Sequence, residues 1–199
     1  WDVERTTVEW PTWTIKSWSK IVQTTPYLNG DFEKVRKKIL KIKNTTKLDI
    51  HGSMRLGGTK LACLITGTIR FNKNLIVINL SSCSLNCDAV AIISRVLQIQ
   101  RCPIEELNLN NNFIQAEGCK YISSLLRKNK QIKKLSLKNT SLTECGTNFT
   151  GIESIAVGLR LNSSVELLDV SSNCLQRKGS MILVNTLQYT WRLELIDMK

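Results

Sequence analysis

The chain has 199 residues, 42% of them apolar and 22% charged, a composition that fits one domain with a sizeable core and excludes an intrinsically disordered chain. Its 28 Lys+Arg against 16 Asp+Glu give a formal net charge of +12, which favours acidic partners without choosing among acidic protein, nucleic acid and anionic membrane. Seven cysteines with no CxxC spacing and a single histidine, His51, argue against a zinc site, and no apolar run reaches the length of a membrane span.

Residues 1–30 are rich in tryptophan, with Trp1, Trp10, Trp13 and Trp18 broken by Pro11. Such a segment either lids the first structural unit or docks its aromatics in a partner. Residues 31–46 begin with the N-cap signal Asp31 and continue as a basic amphipathic helix carrying Phe32, Val35, Ile39, Leu40 and Ile42. This helix is expected to pack on the first strand as a cap.

From Lys47 onward one phrase, apolar-x-x-apolar-x-apolar, repeats. Its copies are Thr45–Leu48–Ile50, Leu75–Ile78–Leu80, Ile104–Leu107–Leu109, Ile132–Leu135–Leu137, Val165–Leu168–Val170 and Leu193–Ile196–Met198, and the central residues step by 30, 29, 28, 33 and 28. A fixed period of this size predicts a stacked solenoid. Each copy predicts a short strand with one face buried. A turn residue follows (Ser53, Cys83, Asn112, Thr140, Asn173), then a small residue at the helix start (Ala89, Gly118, Gly146, Gly179). The helix faces are Ile65/Ile69, Ile93/Val96/Leu97, Ile122/Leu125/Leu126, Ile155/Leu159 and Leu183/Leu187. Asn72, Gln100, Asn129, Asn162 or Thr190 comes next, and Asn is the commonest choice because it tolerates a left-handed helix end. Cys83, Cys145 and Cys174 fall where small buried residues are expected, which reads as reduced packing cysteines and a reducing, cytoplasmic setting. The Asn-x-Ser/Thr triplets at Asn44, Asn79, Asn139, Asn148 and Asn162 are accordingly read as structural and not as glycan acceptors.

On these six phased copies, over about residues 47–199, the chain resembles the leucine-rich repeat family, in its ribonuclease-inhibitor-like class with a helix in every unit. The resemblance implies an α/β solenoid: a curved parallel β-sheet on the concave side and α-helices on the convex side. The first repeat departs from the pattern around Met54–Gly58. The fourth carries an insertion near Thr147–Gly151, expected to bulge as a loop. The chain stops at Lys199 in mid-strand, so further chain or a covering partner is expected there.

No catalytic constellation is visible. A triad would have to use His51, beside Gly52 at a strand end. The stretch Gly57–Gly58–Thr59–Lys60 lacks the leading glycine of a phosphate loop, and Glu105 and Glu106 point to opposite sides of a strand. No cofactor and no metal are expected. Strand alternation sends Asp49, His51, Asn79, Ser81, Glu106, Asn108, Asn110, Lys134, Ser136, Lys138, Asp169 and Ser171 to the concave face. This polar face has no aromatic row for stacking bases and suits protein recognition. Arg127, Lys128, Lys130 and Lys133 form a basic patch within a run that holds no acid, read either as solvated surface or as the footprint of an acidic partner.

These features favour a non-catalytic protein–protein interaction scaffold, a subunit of an intracellular assembly, with a cytoskeletal, ciliary or axonemal setting as the analogy. Its partners are proteins, with an acidic surface favoured, and membrane insertion is not expected. The rival readings are a regulator of a small GTPase, similar to the leucine-rich-repeat activators of Ran, and a nucleic-acid-binding subunit of a ribonucleoprotein.

Overall fold

The computed structural model describes residues 45–53, 58–99 and 103–199. The Trp-rich segment with Trp10, Trp13 and Trp18, residues 31–44 of the helix expected over 31–46 and the irregular stretch 54–57 lie outside the described residues; Thr45 and Thr46, at the end of that expected helix, are not helical. The elements alternate strictly: β1 (Lys47–Asp49), α1 (Gly58–Phe71), β2 (Val77–Asn79), α2 (Cys87–Ile99), β3 (Glu106–Asn108), α3 (Gln115–Lys128), β4 (Lys134–Ser136), α4 (Thr150–Arg160), β5 (Leu167–Asp169), α5 (Gln176–Leu187) and β6 (Leu195–Asp197). The strands form one open parallel sheet in the order β1-β2-β3-β4-β5-β6. Leu48, Ile78, Leu107, Leu135, Leu168 and Ile196 stand side by side in register. The repeated phrase is thus a spatial row, and each helix is the crossover that a parallel pair requires.

Among the described residues a single apolar core joins sheet and helices. The strand residues Leu48, Ile78, Leu107 and Leu135 meet Ile65, Ile93, Ile122 and Ile155 from the helices, all of them buried. In α3, apolar side chains at Ile122, Leu125 and Leu126 recur at the spacing that keeps them on one face, while Glu117 in the first turn and Arg127 and Lys128 in the last complement the helix dipole. The expected face of α5 is corrected: Leu187 is exposed, and Thr186 takes the buried position, its hydroxyl donating to the Ile182 carbonyl.

The turn residues behave as a ladder. The Asn112 Oδ1 accepts from the backbone N–H of Cys83 and of Leu85, each at 3.0 Å, and its Nδ2 donates to the carbonyls of Leu80, Leu109 and Asn110. Asn173 repeats this two layers on, toward Thr140, Leu142, Leu137, Val170 and Ser171. A buried carboxamide therefore satisfies backbone groups that the turn would otherwise orphan.

Three expectations are corrected here. The left-handed positions are not at the helix C-termini: Asn129 is extended, with φ −81 and ψ 128. Around the turn residues they stand just before or just after them, at Ser82 and Ser84, Asn111, Asn139 and Ser141, and Ser172 and Cys174 (φ 51 to 60), and they recur at Glu144 and Cys145 and at the first residues of α3 and α5, Gln115 and Gln176. Asn129 works through its side chain instead, which donates to the Leu97 carbonyl and accepts from the N–H of Gln131 and Ile132. Second, the extra residues of the fourth repeat lie earlier than Thr147–Gly151, in turns over residues 142–147. Thr143 anchors them by bonding to the carbonyls of Asn173 and Cys174. Gly146 is accordingly a turn residue with φ +84 and not a helix start, and Gly151 takes that role: a Cβ there would lie 2.5 Å from the Leu142 carbonyl oxygen. Third, Cys145 and Cys174 are exposed, while Cys83 and Cys119 are buried. Cys145 falls within those turns, and Cys174 directly follows the buried turn residue Asn173.

Candidate interaction face of the sheet

The face of the sheet turned away from the helices carries the expected residues in registered rows. One row is Lys47, Val77, Glu106, Lys134, Leu167 and Leu195; the next is Asp49, Asn79, Asn108, Ser136, Asp169 and Asp197. His51, Ser81, Asn110, Lys138 and Ser171 follow two residues beyond the second row, but Ser171 is buried, at 2% exposure, which corrects its expected place as a contact residue.

The second row is occupied with local bonding. The side-chain oxygen of Asp49, Asn79, Asn108, Asp169 and Asp197 accepts from the backbone N–H two residues on, at His51, Ser81, Asn110, Ser171 and Lys199. This is an Asx-type closure of the strand end, and it explains why Asp and Asn dominate there. Ser136 is the exception in β4, and the Lys138 N–H turns instead to Asn110 Oδ1 at 2.8 Å. Lateral bonds tie neighbouring repeats, with Asn79 Nδ2 donating to Asp49 Oδ1 at 3.2 Å and Ser136 Oγ to Asp169 Oδ2 at 3.0 Å. The Ser81 and Ser171 hydroxyls donate to Asn79 and Asp169 of their own strands.

Part of the charge on this face is paired, while Lys138 has no ion-pair partner among the described residues. Lys134 lies 2.7 Å from Glu106 on the adjacent strand, which raises the Lys134 pKa. His51 Nδ1 lies 2.6 Å from Asp49 Oδ1. Burial pushes the Asp49 carboxyl up, but hydrogen bonds from His51, Lys47 and Asn79 outweigh it and hold the group down at about 2. The lone histidine is thus an exposed residue tied to a strand-end carboxylate.

The basic patch is less uniform than its run of cations implies. Lys133 pairs with Glu105 at 3.1 Å, from the preceding repeat, and the Lys130 ammonium donates to the Leu161 carbonyl at 2.5 Å. The acids that neutralise the run are about one period away in sequence and adjacent in space. Arg127 and Lys128 have no ion-pair partner among the described residues. Glu105 and Glu106, each with its own lysine, do not form a dyad. No group of three or more His, Cys, Asp or Glu that could hold a metal occurs among the described residues, and no helix among them is long and apolar enough to cross a membrane.

No protein-family model matches the chain. It is 27% identical over 156 residues to human "NACHT, LRR and PYD domains-containing protein 14", a match covering 66% of this chain and 14% of that protein. The mouse protein of the same name is 27% identical over 148 residues, covering 62% of this chain and 15% of its own length. The chain therefore spans about one seventh of these curated relatives. Among solved structures, "Leiomodin-1 Actin-Binding Site 2 (ABS2)" superposes with a TM-score of 0.61 at 19% identity, covering 83% of this chain and 90% of that one. With the strand–turn–helix period and the parallel sheet, these likenesses give the chain a leucine-rich-repeat-type fold.

Proposed function

We propose that the chain is a protein-interaction scaffold that binds a protein partner through the open face of its sheet. The observation that carries this reading is the registered array of polar and charged side chains on a face that no other element among the described residues covers. The hydrogen bonds among them hold the array in one arrangement before a partner arrives, which lowers the ordering cost of binding. The relatives support the reading: one name carries leucine-rich repeats, and the leiomodin fragment is by its title an actin-binding site. Neither lends support to a ciliary or axonemal assembly, so the proposal names only a protein.

The second row is largely spent on closing strands. Partner contacts on this reading come from the exposed side chains that flank it, His51, Lys138 and Leu195, with Asn108, Asn110 and the Glu106–Lys134 pair between them. The test is affinity purification of the full chain from its native source, beside a Lys138→Glu, Leu195→Asp variant, with quantitative mass spectrometry. Loss of one specific protein in the variant supports the reading. A protein set unchanged by the variant, or GTPase stimulation or salt-sensitive oligonucleotide binding by the chain alone, overturns it.

A further inference from the structure

A second surface lies along the edge where the helices end and the next strands begin. Three consecutive turns, residues 127–133, 160–165 and 188–193, make one continuous rim. The first two are joined by Lys130 on the Leu161 carbonyl and by Asn162 Nδ2, which donates to the carbonyls of Leu126 at 2.7 Å and Asn129 at 3.1 Å. The second and third are joined by the Arg160 guanidinium, 4.9 Å from the centre of the Tyr189 ring.

These turns hold Arg127, Lys128, Lys130, Lys133, Arg160 and Arg192 and not one acidic residue. Complementing helix C-termini accounts for Arg127, Lys128 and Arg160. It does not account for the apolar groups beside them. Leu161 is 54%, Tyr189 61% and Trp191 77% exposed, and Trp191 is the most exposed large hydrophobic among the described residues. Arg192 stacks on Trp191 at 4.7 Å and also reaches Glu166 at 3.8 Å. A guanidinium on one face fixes each ring and leaves the other side to solvent.

We propose that this rim, built on Arg127, Lys128, Arg160, Leu161, Tyr189 and Trp191, docks an acidic protein segment that carries an apolar side chain. The proposal rests on the protein-partner reading above but assigns a different surface. Exposed Trp, Tyr and Arg in one cluster is the composition of binding hot spots, and free guanidinium edges match carboxylates bidentately. Nucleic acid fits less well. Lys130, Lys133 and Arg192 are committed to acceptors within the chain, which leaves few cations for phosphates, and each ring already has one face covered, whereas strand binding uses successive open stacking platforms.

The test uses the full 199-residue chain and a panel of short Glu-rich peptides that vary the spacing of one Leu and one Phe, each beside a counterpart with every Glu changed to Gln. Binding is read by fluorescence anisotropy. A Glu-rich peptide is expected to bind, its Gln counterpart to bind at least roughly tenfold more weakly, and Trp191→Ala to weaken binding by roughly tenfold or more. Arg127→Glu with Lys128→Glu has a similar effect that shrinks as salt rises. Lys138→Glu, on the sheet face, leaves the peptide affinity unchanged. All substituted side chains are exposed, and thermal unfolding confirms that each variant is folded. The proposal is overturned if no Glu-rich peptide outbinds its Gln counterpart, if Trp191→Ala changes nothing, or if oligothymidine displaces the peptide at equal concentration. Any of these leaves a partner on the open sheet face untouched, so the two readings fail separately.

Discussion

The Asn112 carboxamide accepts the backbone N–H of Cys83, 29 residues earlier, at 3.0 Å, in a buried position. One side chain thus joins the turns of two successive repeats, and Asn173 does the same for Thr140 across 33 residues at 2.9 Å. The solenoid is tied layer to layer by these amides as well as by its apolar rows.

Replacing Asn112 by Ala strands several buried backbone groups at once. The expected loss is about 2–4 kcal/mol in urea denaturation. Asn112→Asp should also destabilise, because a carboxylate cannot donate to the carbonyls of Leu80 and Leu109. Asn139→Ala, at an exposed position, should cost less than either.

Helices α3 and α4 approach closely at Gly158, where a Cβ would lie 2.9 Å from the Ser123 Cα and 3.0 Å from its Oγ. Gly158→Ala should therefore destabilise by about 1–3 kcal/mol despite the better helix propensity of alanine. At Gly179 the nearest atom to such a Cβ is a Leu175 side-chain carbon at 3.3 Å, and Gly179→Ala should cost distinctly less. Thermal melts of the two variants, side by side, check the order.

Asp49 is held at about 2 against an ordinary value of 3.8. A carboxyl depressed by folding contributes stability that is fully present above its unfolded value and is lost as pH falls through its folded value. Stability should therefore decline between about pH 4 and about pH 2 in part through this group. Asp49→Asn should flatten that acid limb while leaving the neutral side of the profile nearly parallel, as read from urea midpoints across pH.

The cysteines should divide by exposure. Burial pushes the Cys119 thiol up to about 12 and raises that of Cys83, so both should resist iodoacetamide in the native state and react on unfolding. Cys145 and Cys174 should alkylate natively, as peptide mass mapping would show.

The period of the phrase around Leu48, Ile78, Leu107, Leu135, Leu168 and Ile196 made the sheet order and register legible in the chain alone, because each copy must bury its central residue against the next. The turn residues Asn112 and Asn173 were legible for the same reason. What escaped was set by contacts between repeats. The pairing of Lys133 with Glu105 and of Lys134 with Glu106 crosses strands, so a run without acids looked freer than it is. The helix-end asparagines looked like backbone devices, and their work is in the side chain. Cys145 could not be placed without knowing where the extra residues of its repeat turn. The exposed Tyr189 and Trp191 fall outside the repeated phrase, so the period carries no information about them.

The most direct test of the scaffold reading is cross-linking mass spectrometry on the complex purified from its native source. Cross-links from Lys134 and Lys138 to a single protein partner are the predicted result. Recovery of a free monomer, with only internal cross-links, would contradict it.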